Sequence, residues 1–538
     1  MLKTGCARIY KTYTVVFEGV EARCIEVQCA LSAGLPRFSI VGLPNKAVSE
    51  ARDRVRSALD SMSIALPSKR ITINLSPADL PKDGSHFDLL IALALLAPIG
   101  IISKDACKNA VSLGELSLDG VLVPVRGALP AAVTAAASDQ VLICPTASGP
   151  DAAWVEQAQV IGADSLWHII QHFNGQKPIP VARLGDVVAP LTQGDLCDIK
   201  GQERGKRALE IAVAGRHHLF FVGTPGCGKS MLAKRSLGLL PPLTPSQALE
   251  TSMIQSIFGE LAKGGVSRQA PFRPLHHTIS DKAIIGGGRD AKPGEISLAH
   301  NGILFMDEFP EFSRAVLESL RQPLEDRHVL VARANAHSSY RCQFMLIATA
   351  NPCKCGYLSD PSRACARVPL CGGEYMARIS GPMMDRFDLT AEMPPVALND
   401  LDLSSDSDTS ATVAARVAAA FQIQTDRYRD HPDVQSNADL EGVQLTEVAT
   451  LDSKGQAMLS RAAELFRLSA RGYHRVLRVG RTIADLAGAE QVVQTHVAEA
   501  LSYRLARPTH IPVKGQTKPQ SYPVLPHPIS VTGQAWTY

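Results

Sequence analysis

The chain has 538 residues and carries 55 Lys and Arg against 52 Asp and Glu, a formal charge of +3. At roughly 100–200 residues per domain this length accommodates about three domains, and 45% hydrophobic with 20% charged residues excludes wholesale disorder. The small net charge excludes bulk attraction to nucleic acid, and 5% aromatics count against a base-stacking surface, so any nucleic-acid site has to be a local patch or lined channel.

No apolar signal segment stands near residue 1, so no secretory leader is expected. Residues 1–180 alternate β-branched runs with Ala-rich stretches. Strands are expected over 15–17, 24–27, 38–41, 71–75 and 141–144, and helices over 48–62 and 87–96. The longest apolar run, 89–102, falls short of the roughly 20 residues that span a bilayer. Pro98 and Gly100 interrupt it, so it reads as a buried core helix. A polar, Pro-bearing stretch at 181–195 is the expected first linker. From 196 to 395, strands expected at 219–222, 303–306 and 344–348 are separated by helical patterns, which predicts a parallel α/β sheet. The acidic, Ser-rich stretch 396–410 is the second expected linker. Amphipathic helices are expected over 411–429 and 451–505, making a helical domain over 411–507, and the Pro-rich tail 508–538 is expected to be disordered.

The sharpest motif is Gly223-Thr224-Pro225-Gly226-Cys227-Gly228-Lys229-Ser230, a G-x-x-x-x-G-K-S preceded by the apolar run 219–222. Its glycines let backbone N–H groups converge on phosphate oxygens. Lys229 reaches the β/γ-phosphates, and the Ser230 hydroxyl ligates Mg2+. About 80 residues on, the apolar run 303–306 ends in Asp307 and Glu308. Asp307 is expected to hold Mg2+ through water and Glu308 to polarise the attacking water. Asn351 follows the third strand and is placed to orient that water. Read alone, Arg386 is either a surface ion-pair partner or a cation supplied to a neighbouring subunit.

Twelve cysteines are present; eight are scattered singly, and Cys353, Cys355, Cys365 and Cys371 cluster. The pattern points to a reducing, cytoplasmic setting with one metal site. C-x-C-x9-C-x5-C suits tetrahedral zinc in a structural role, the alternative being four reduced loop thiols.

Longer blocks resemble the magnesium-chelatase-like AAA+ ATPases of the YifB/ComM group: 272–278, 286–302, 378–388 and 471–487, the last reading Arg-Gly-Tyr-His-Arg-Val-Leu-Arg-Val-Gly-Arg-Thr-Ile-Ala-Asp-Leu-Ala. The resemblance runs to about residue 507. It implies an α/β fold class: a Lon-protease-like, ribosomal-S5-like α+β domain over 1–180, a P-loop AAA+ core over 196–395 and a helical lid over 411–507. It implies a homo-oligomeric ring, expected to be hexameric, with active sites between subunits. Asn351 matches sensor 1 and Arg386 the arginine finger. Arg478 matches the sensor-2 arginine, with Arg471 and Arg475 as rivals. An insert around 284–296 matches the helix-2 insert and 328–344 the pre-sensor hairpin. This makes Arg289, Lys292, Arg333 and Arg341 candidate contacts to a DNA backbone, solvated loop charge being the alternative. In the Lon-like domain His86 stands where the resemblance expects a nucleophilic serine, and the stretch 129–131 offers no lysine, so a protease fold without protease chemistry is expected.

The function expected is an ATP- and Mg2+-dependent motor on single-stranded or branched DNA, a helicase or branch-migration factor in recombination or natural transformation, with no membrane partner. The alternative is a remodelling ATPase acting on protein partners. A magnesium-chelatase subunit is disfavoured for want of a metal-substrate site, and a Lon-type protease by the absent Ser–Lys pair.

Overall fold

Two large sheets organise the computed structural model, which describes residues 9–504 apart from 79, 81, 104, 186–193, 262–264, 288–291, 333–336, 359–361, 397–407 and 432. The first sheet has seven strands, in spatial order Arg37–Val41, Arg70–Ser76, Glu21–Ser32, Ile9–Glu18, Ala110–Ser112, Val141–Pro145 and Val160–Ala163. Ile9–Glu18 and Glu21–Ser32 form a long antiparallel hairpin, longer than the β-branched runs suggest. Past the expected 24–27, Gln28 continues the alternation with buried Ile25, Val27 and Cys29, so one face of the hairpin stays apolar. Ala110–Ser112 and Val160–Ala163 are too short to announce themselves by pattern and are held by parallel pairing to Val141–Pro145.

Helix Lys46–Ser61 starts where Asn45 Oδ1 accepts the Val48 N–H at 2.9 Å, and its buried Val48, Ala51, Val55, Ala58 and Leu59 lie at helical spacing. It packs on Phe87–Leu96, every residue of which is buried. That helix ends before Pro98, so the apolar run is helical only over its first part. Its one acid, Asp88, is paired with Arg54 through bonds of 2.6 and 2.9 Å, as a buried charge requires. An Ala-rich helix, Ala128–Ala137, buries its face in a second apolar cluster of the same domain. Of the first expected linker, Val181 bridges Ile161 and buried Ile179 joins the apolar core just ahead of it, while 186–193 lie outside the described residues.

The second sheet is parallel throughout, in the order Phe272–Leu275, Ile303–Met306, Met345–Ala350, Leu219–Gly223 and Leu389–Met393. Helix Glu203–Gly215 covers it, and one apolar cluster runs from that helix into the C-terminal helices Ser410–Arg427, Ser453–Phe466, Ala470–Leu486 and Gln494–Arg504. The first of these begins at Ser410, inside the expected second linker, because the Thr409 hydroxyl accepts the Thr412 N–H. Asp485, fully buried, accepts from both terminal nitrogens of Arg427 and from Arg481 and Asn437. The expected disordered tail lies outside the described residues. Among the described residues no helix is long and apolar enough to cross a membrane.

His86 is enclosed in the first domain, its ring against Phe17 and Phe87 at centroid distances of 5.4 and 4.4 Å. Nε2 lies 3.0 Å from the Val15 carbonyl, which only accepts, so Nε2 carries the proton. Burial pushes its pKa from 6.5 down to about 4. The unfolded chain therefore takes up this proton at a higher pH than the folded one. The associated stability is present above pH 6.5 and is lost as pH falls toward 4, on the order of 3 kcal/mol. His86→Gln keeps a donor for Val15 and cannot titrate. Thermal melts across pH 7 to 4 should show a shallower fall for this variant than for the parent.

Candidate functional site

The phosphate loop opens at the C-terminal end of Leu219–Gly223 and leads into helix Lys229–Arg235. Gly223 is forced to be glycine by close approach, since a Cβ there would meet the Met393 carbonyl at 2.5 Å. Gly228 has φ +93°, the left-handed region that only glycine adopts without strain. Lys229 Nζ, 8% exposed as a residue, donates to the carbonyls of Gly223 at 2.7 Å and Thr224 at 2.9 Å and to Asn351 Oδ1 at 3.1 Å. Burial lowers its pKa, against the pull of Cys227, Asp307 and Glu308. Loop carbonyls are weak partners for an ammonium, so this cation is set for an anionic ligand. Cys227 is buried beside it. Pro225 and Gly226 form the exposed tip of the loop.

Ser230 Oγ donates to Asp307 Oδ2 at 2.8 Å. That pair of hard oxygens is the donor set magnesium takes. Glu308 is exposed and has φ +54°, strained for a non-glycine residue. Its N–H donates to Thr349 Oγ1 at 3.2 Å, and the Thr349 hydroxyl donates to Asp307 Oδ1. Lys229, Ser230, Asp307, Glu308 and Asn351 thus meet at one end of the sheet, as the motifs predict. Thr349 was not singled out by the sequence analysis. Its place two residues before Asn351, on the strand beside the one that ends at Asp307, was the available signal.

Arg386 and Arg478 are elsewhere. Asp388 N–H donates to the His218 carbonyl, and Leu389 pairs with Leu219, so Arg386 stands at the N-terminal end of the strands whose C-terminal ends carry the phosphate loop. Arg386, Arg471, Arg475 and Arg478 all line one cavity of about 610 Å³ at that end. Arg386 pairs with Glu325 at 2.6 Å, Arg471 with the same carboxylate at 3.2 Å, and Arg475 with Asp388 at 3.4 Å. Arg478 Nε donates to the Leu440 carbonyl at 2.6 Å. Asp388 is held below the usual carboxylate range: burial opposes its charge, and His217 and Arg475 outweigh that.

The insert forms a two-stranded hairpin, Gly286–Gly287 with Lys292–Pro293, against a second hairpin, His328–Ala332 with His337–Arg341. Lys292 is exposed. Arg341 lies at the base of its hairpin, opposite His328, and reaches Glu250 at 3.3 Å. Arg289 and Arg333 lie outside the described residues.

The sulfur atoms of Cys353, Cys355 and Cys371 lie within 4.8 Å of one another. Cys365, the fourth predicted ligand, is not among these three; it lies close enough to Cys355 and Cys371 to influence both thiols. Thiols this close suit a thiophilic metal. The same loop touches the phosphate loop: at Gly356, φ +85°, a Cβ would meet Pro225 Cγ at 2.5 Å.

Comparison with known proteins places the chain in a family. Residues 195–401 match the model for magnesium chelatase, subunit ChlI; residues 25–148 match that for subunit ChlI of Mg-chelatase, and 407–504 that for the ChlI C-terminal region. The competence protein ComM of Haemophilus influenzae is 41% identical over 500 residues, covering 91% of this chain and 96% of its own. The chain belongs to the magnesium-chelatase-like ComM/YifB family of AAA+ ATPases. YifB of Salmonella typhimurium is 40% identical over 489 residues, 90% of this chain and 95% of that one. Lon protease 2 of Bacillus subtilis is 30% identical over 148 residues, 26% of each chain, which accounts for the Lon-like character of the first domain. Membership in the ComM/YifB family implies ATP and Mg2+, and the oxygen pair and the loop lysine are suited to both.

Because the Thr349 hydroxyl fixes Asp307 and the strained Glu308 together, Thr349→Val should lower ATP turnover about tenfold while leaving binding of a non-hydrolysable analogue within about twofold. Steady-state phosphate release and a nucleotide titration measure the two.

Proposed function

We propose that the protein is a ring-forming homo-oligomer, a hexamer, that couples ATP hydrolysis to movement on single-stranded or branched DNA, as a helicase or branch-migration factor in recombination or natural transformation. One observation carries the assembly. The phosphate loop and the arginines occupy opposite ends of the same strands, separated by on the order of 15 Å at about 3.3 Å per residue. A second copy, presenting its arginine end to the first copy's phosphate loop, completes the site.

In this reading Lys229 holds the β/γ-phosphates and Ser230 and Asp307 hold the metal. Magnesium, when bound, neutralises charge on the phosphates. Glu308 takes up proton density from the attacking water, which Asn351 orients. Arg386 of the neighbouring copy offsets charge on the transferring phosphoryl group. Lys229→Ala should abolish nucleotide binding, and Glu308→Gln should bind ATP yet stall. Arg386→Ala should keep ATP affinity and lose turnover. Mixing it with Lys229→Ala chains should restore phosphate release through hybrid interfaces; no recovery would place Arg386 outside a neighbour's site.

The DNA half of the reading is supported by kinship to a protein named for competence and by the two adjoining hairpins, one of which bears exposed Lys292. A second reading, remodelling of a protein partner, is supported by the outer edge of the first sheet, where Leu35 and Leu43 are 88% and 62% exposed. Stimulation of the ATPase by forked DNA, with strand separation, favours the motor; DNA-independent turnover without it favours remodelling.

We assign a structural zinc to Cys353, Cys355, Cys365 and Cys371, supported by the clustered thiols. The first domain in this reading is a protease fold without its chemistry: Lys82 Nζ donates to the Pro77 carbonyl and Ser85 to Glu115. Metal analysis of the purified chain should find about one zinc per chain, and its removal should weaken nucleotide binding through the Gly356–Pro225 contact. Metal-free protein with undiminished ATP affinity would remove the assignment.

A further inference from the structure

Glu325 gathers two cations at the arginine end of the sheet. It lies near the end of the short helix Arg321–Asp326, and one oxygen, Oε1, is 2.6 Å from Arg386 Nη2 and 3.2 Å from Arg471 Nη2. These arginines come from separate elements. Arg386 follows the turn of helix Gly381–Met384, whereas Arg471 sits in the first turn of Ala470–Leu486. Of the other acids lining the cavity, Asp388 takes Arg475, Asp439 takes Arg327 at 2.8 Å and Glu441 takes Arg478 at 3.7 Å, while Asp326 accepts from Gln322 Nε2. Among the described lining acids, Glu325 is the one that pairs with two arginines.

The sharing has a physical consequence. Two guanidiniums bound to one oxygen stand close enough to repel each other strongly where water is partly excluded. Arg386 is 8% exposed, and its Nε is buried with no partner; the same holds for Arg475 Nη1. Arg471 is 67% exposed as a side chain, so without an anchor it disperses among rotamers in water. The Glu325 side chain is itself 46% exposed, which lets both cations turn toward a more highly charged anion while remaining in reach of the carboxylate. The unpartnered buried donors mark the cavity as ready for such an anion.

We propose that Glu325 is a positioning residue that draws Arg386 and Arg471 to one point, so that both meet the same phosphate of a neighbouring copy's triphosphate. This rests on the reading that Arg386 serves the neighbour.

The test is steady-state turnover of the full-length assembly. Glu325→Ala should lower kcat about tenfold with KM for ATP changed less than about twofold, because the chain's own phosphate loop lies at the other end of the sheet. Glu325→Asp, which keeps the charge, should recover most of the loss. Arg471→Ala added to Glu325→Ala should cost little more, since the carboxylate no longer holds that arginine. Unchanged or raised turnover in Glu325→Ala overturns the proposal, a rise meaning that the carboxylate holds the arginines away from substrate. Should the alanine variant melt early, Glu325→Gln, of the same shape without the charge, carries the same comparison. Arg386→Ala assayed alongside separates the two levels. If it too turns over normally, the neighbour reading is wrong. If it fails while Glu325→Ala is normal, only the role given to Glu325 is lost.

Discussion

All five strands of the central sheet run in one direction, and the chemistry is arranged around that constraint. A parallel strand delivers its loop at one end and receives its chain at the other. Gly223, Met306 and Ala350 end strands and hand over to the phosphate loop, the paired acids and Asn351. Phe387 and Asp388 precede a strand, so Arg386 belongs to the opposite end. Among the buried side chains between the ends is an aromatic trio. Phe220 lies tilted against Phe387 at 5.0 Å, and Phe309 meets Phe387 edge-on at 5.5 Å. Phe309 adjoins Glu308 and Phe387 adjoins Arg386, so the trio joins the two ends through packed rings.

The helical domain and the two ends of the sheet differ in how they treat buried charge. In the helical domain Asp485 is saturated by Arg427, Arg481 and Asn437. Such a network specifies one packing, and loss of either partner leaves an uncompensated ion. At the arginine end, buried guanidinium nitrogens of Arg386 and Arg475 lack partners, and at the phosphate loop Lys229 leans on carbonyls. Left unsatisfied, the two guanidinium nitrogens cost stability, a cost met where a ligand supplies what the chain does not.

In the first domain buried ionisable groups are likewise settled within the chain. His86 is fixed neutral by burial, and Asp88 is tied to Arg54. The domain meets the ATPase core where Trp154 packs beside Leu240 and the Leu243 cluster, and where the turn at Gly19 abuts Ser339 of the second hairpin. The contact at Gly19 sets the turn of the first domain's long hairpin against the hairpin His328–Ala332 with His337–Arg341 of the core.

Contiguous features were legible in the amino-acid order. The phosphate loop, the paired acids after an apolar strand and the cysteine spacing are local, because a turn, a strand end and a metal loop each need their residues within a few positions of one another. The apolar run over 87–96 was legible for the same reason, its stop being written by Pro98. The short strands Ala110–Ser112 and Val160–Ala163 were not, since three or four residues carry too little pattern and are held by neighbours in the sheet. Thr349 was hidden because its role is a hydrogen bond across strands. Only the folded chain brings Arg386 and Arg471 onto one oxygen of Glu325: the spacings between the three encode nothing, and they stand on three separate elements that tertiary structure alone brings together.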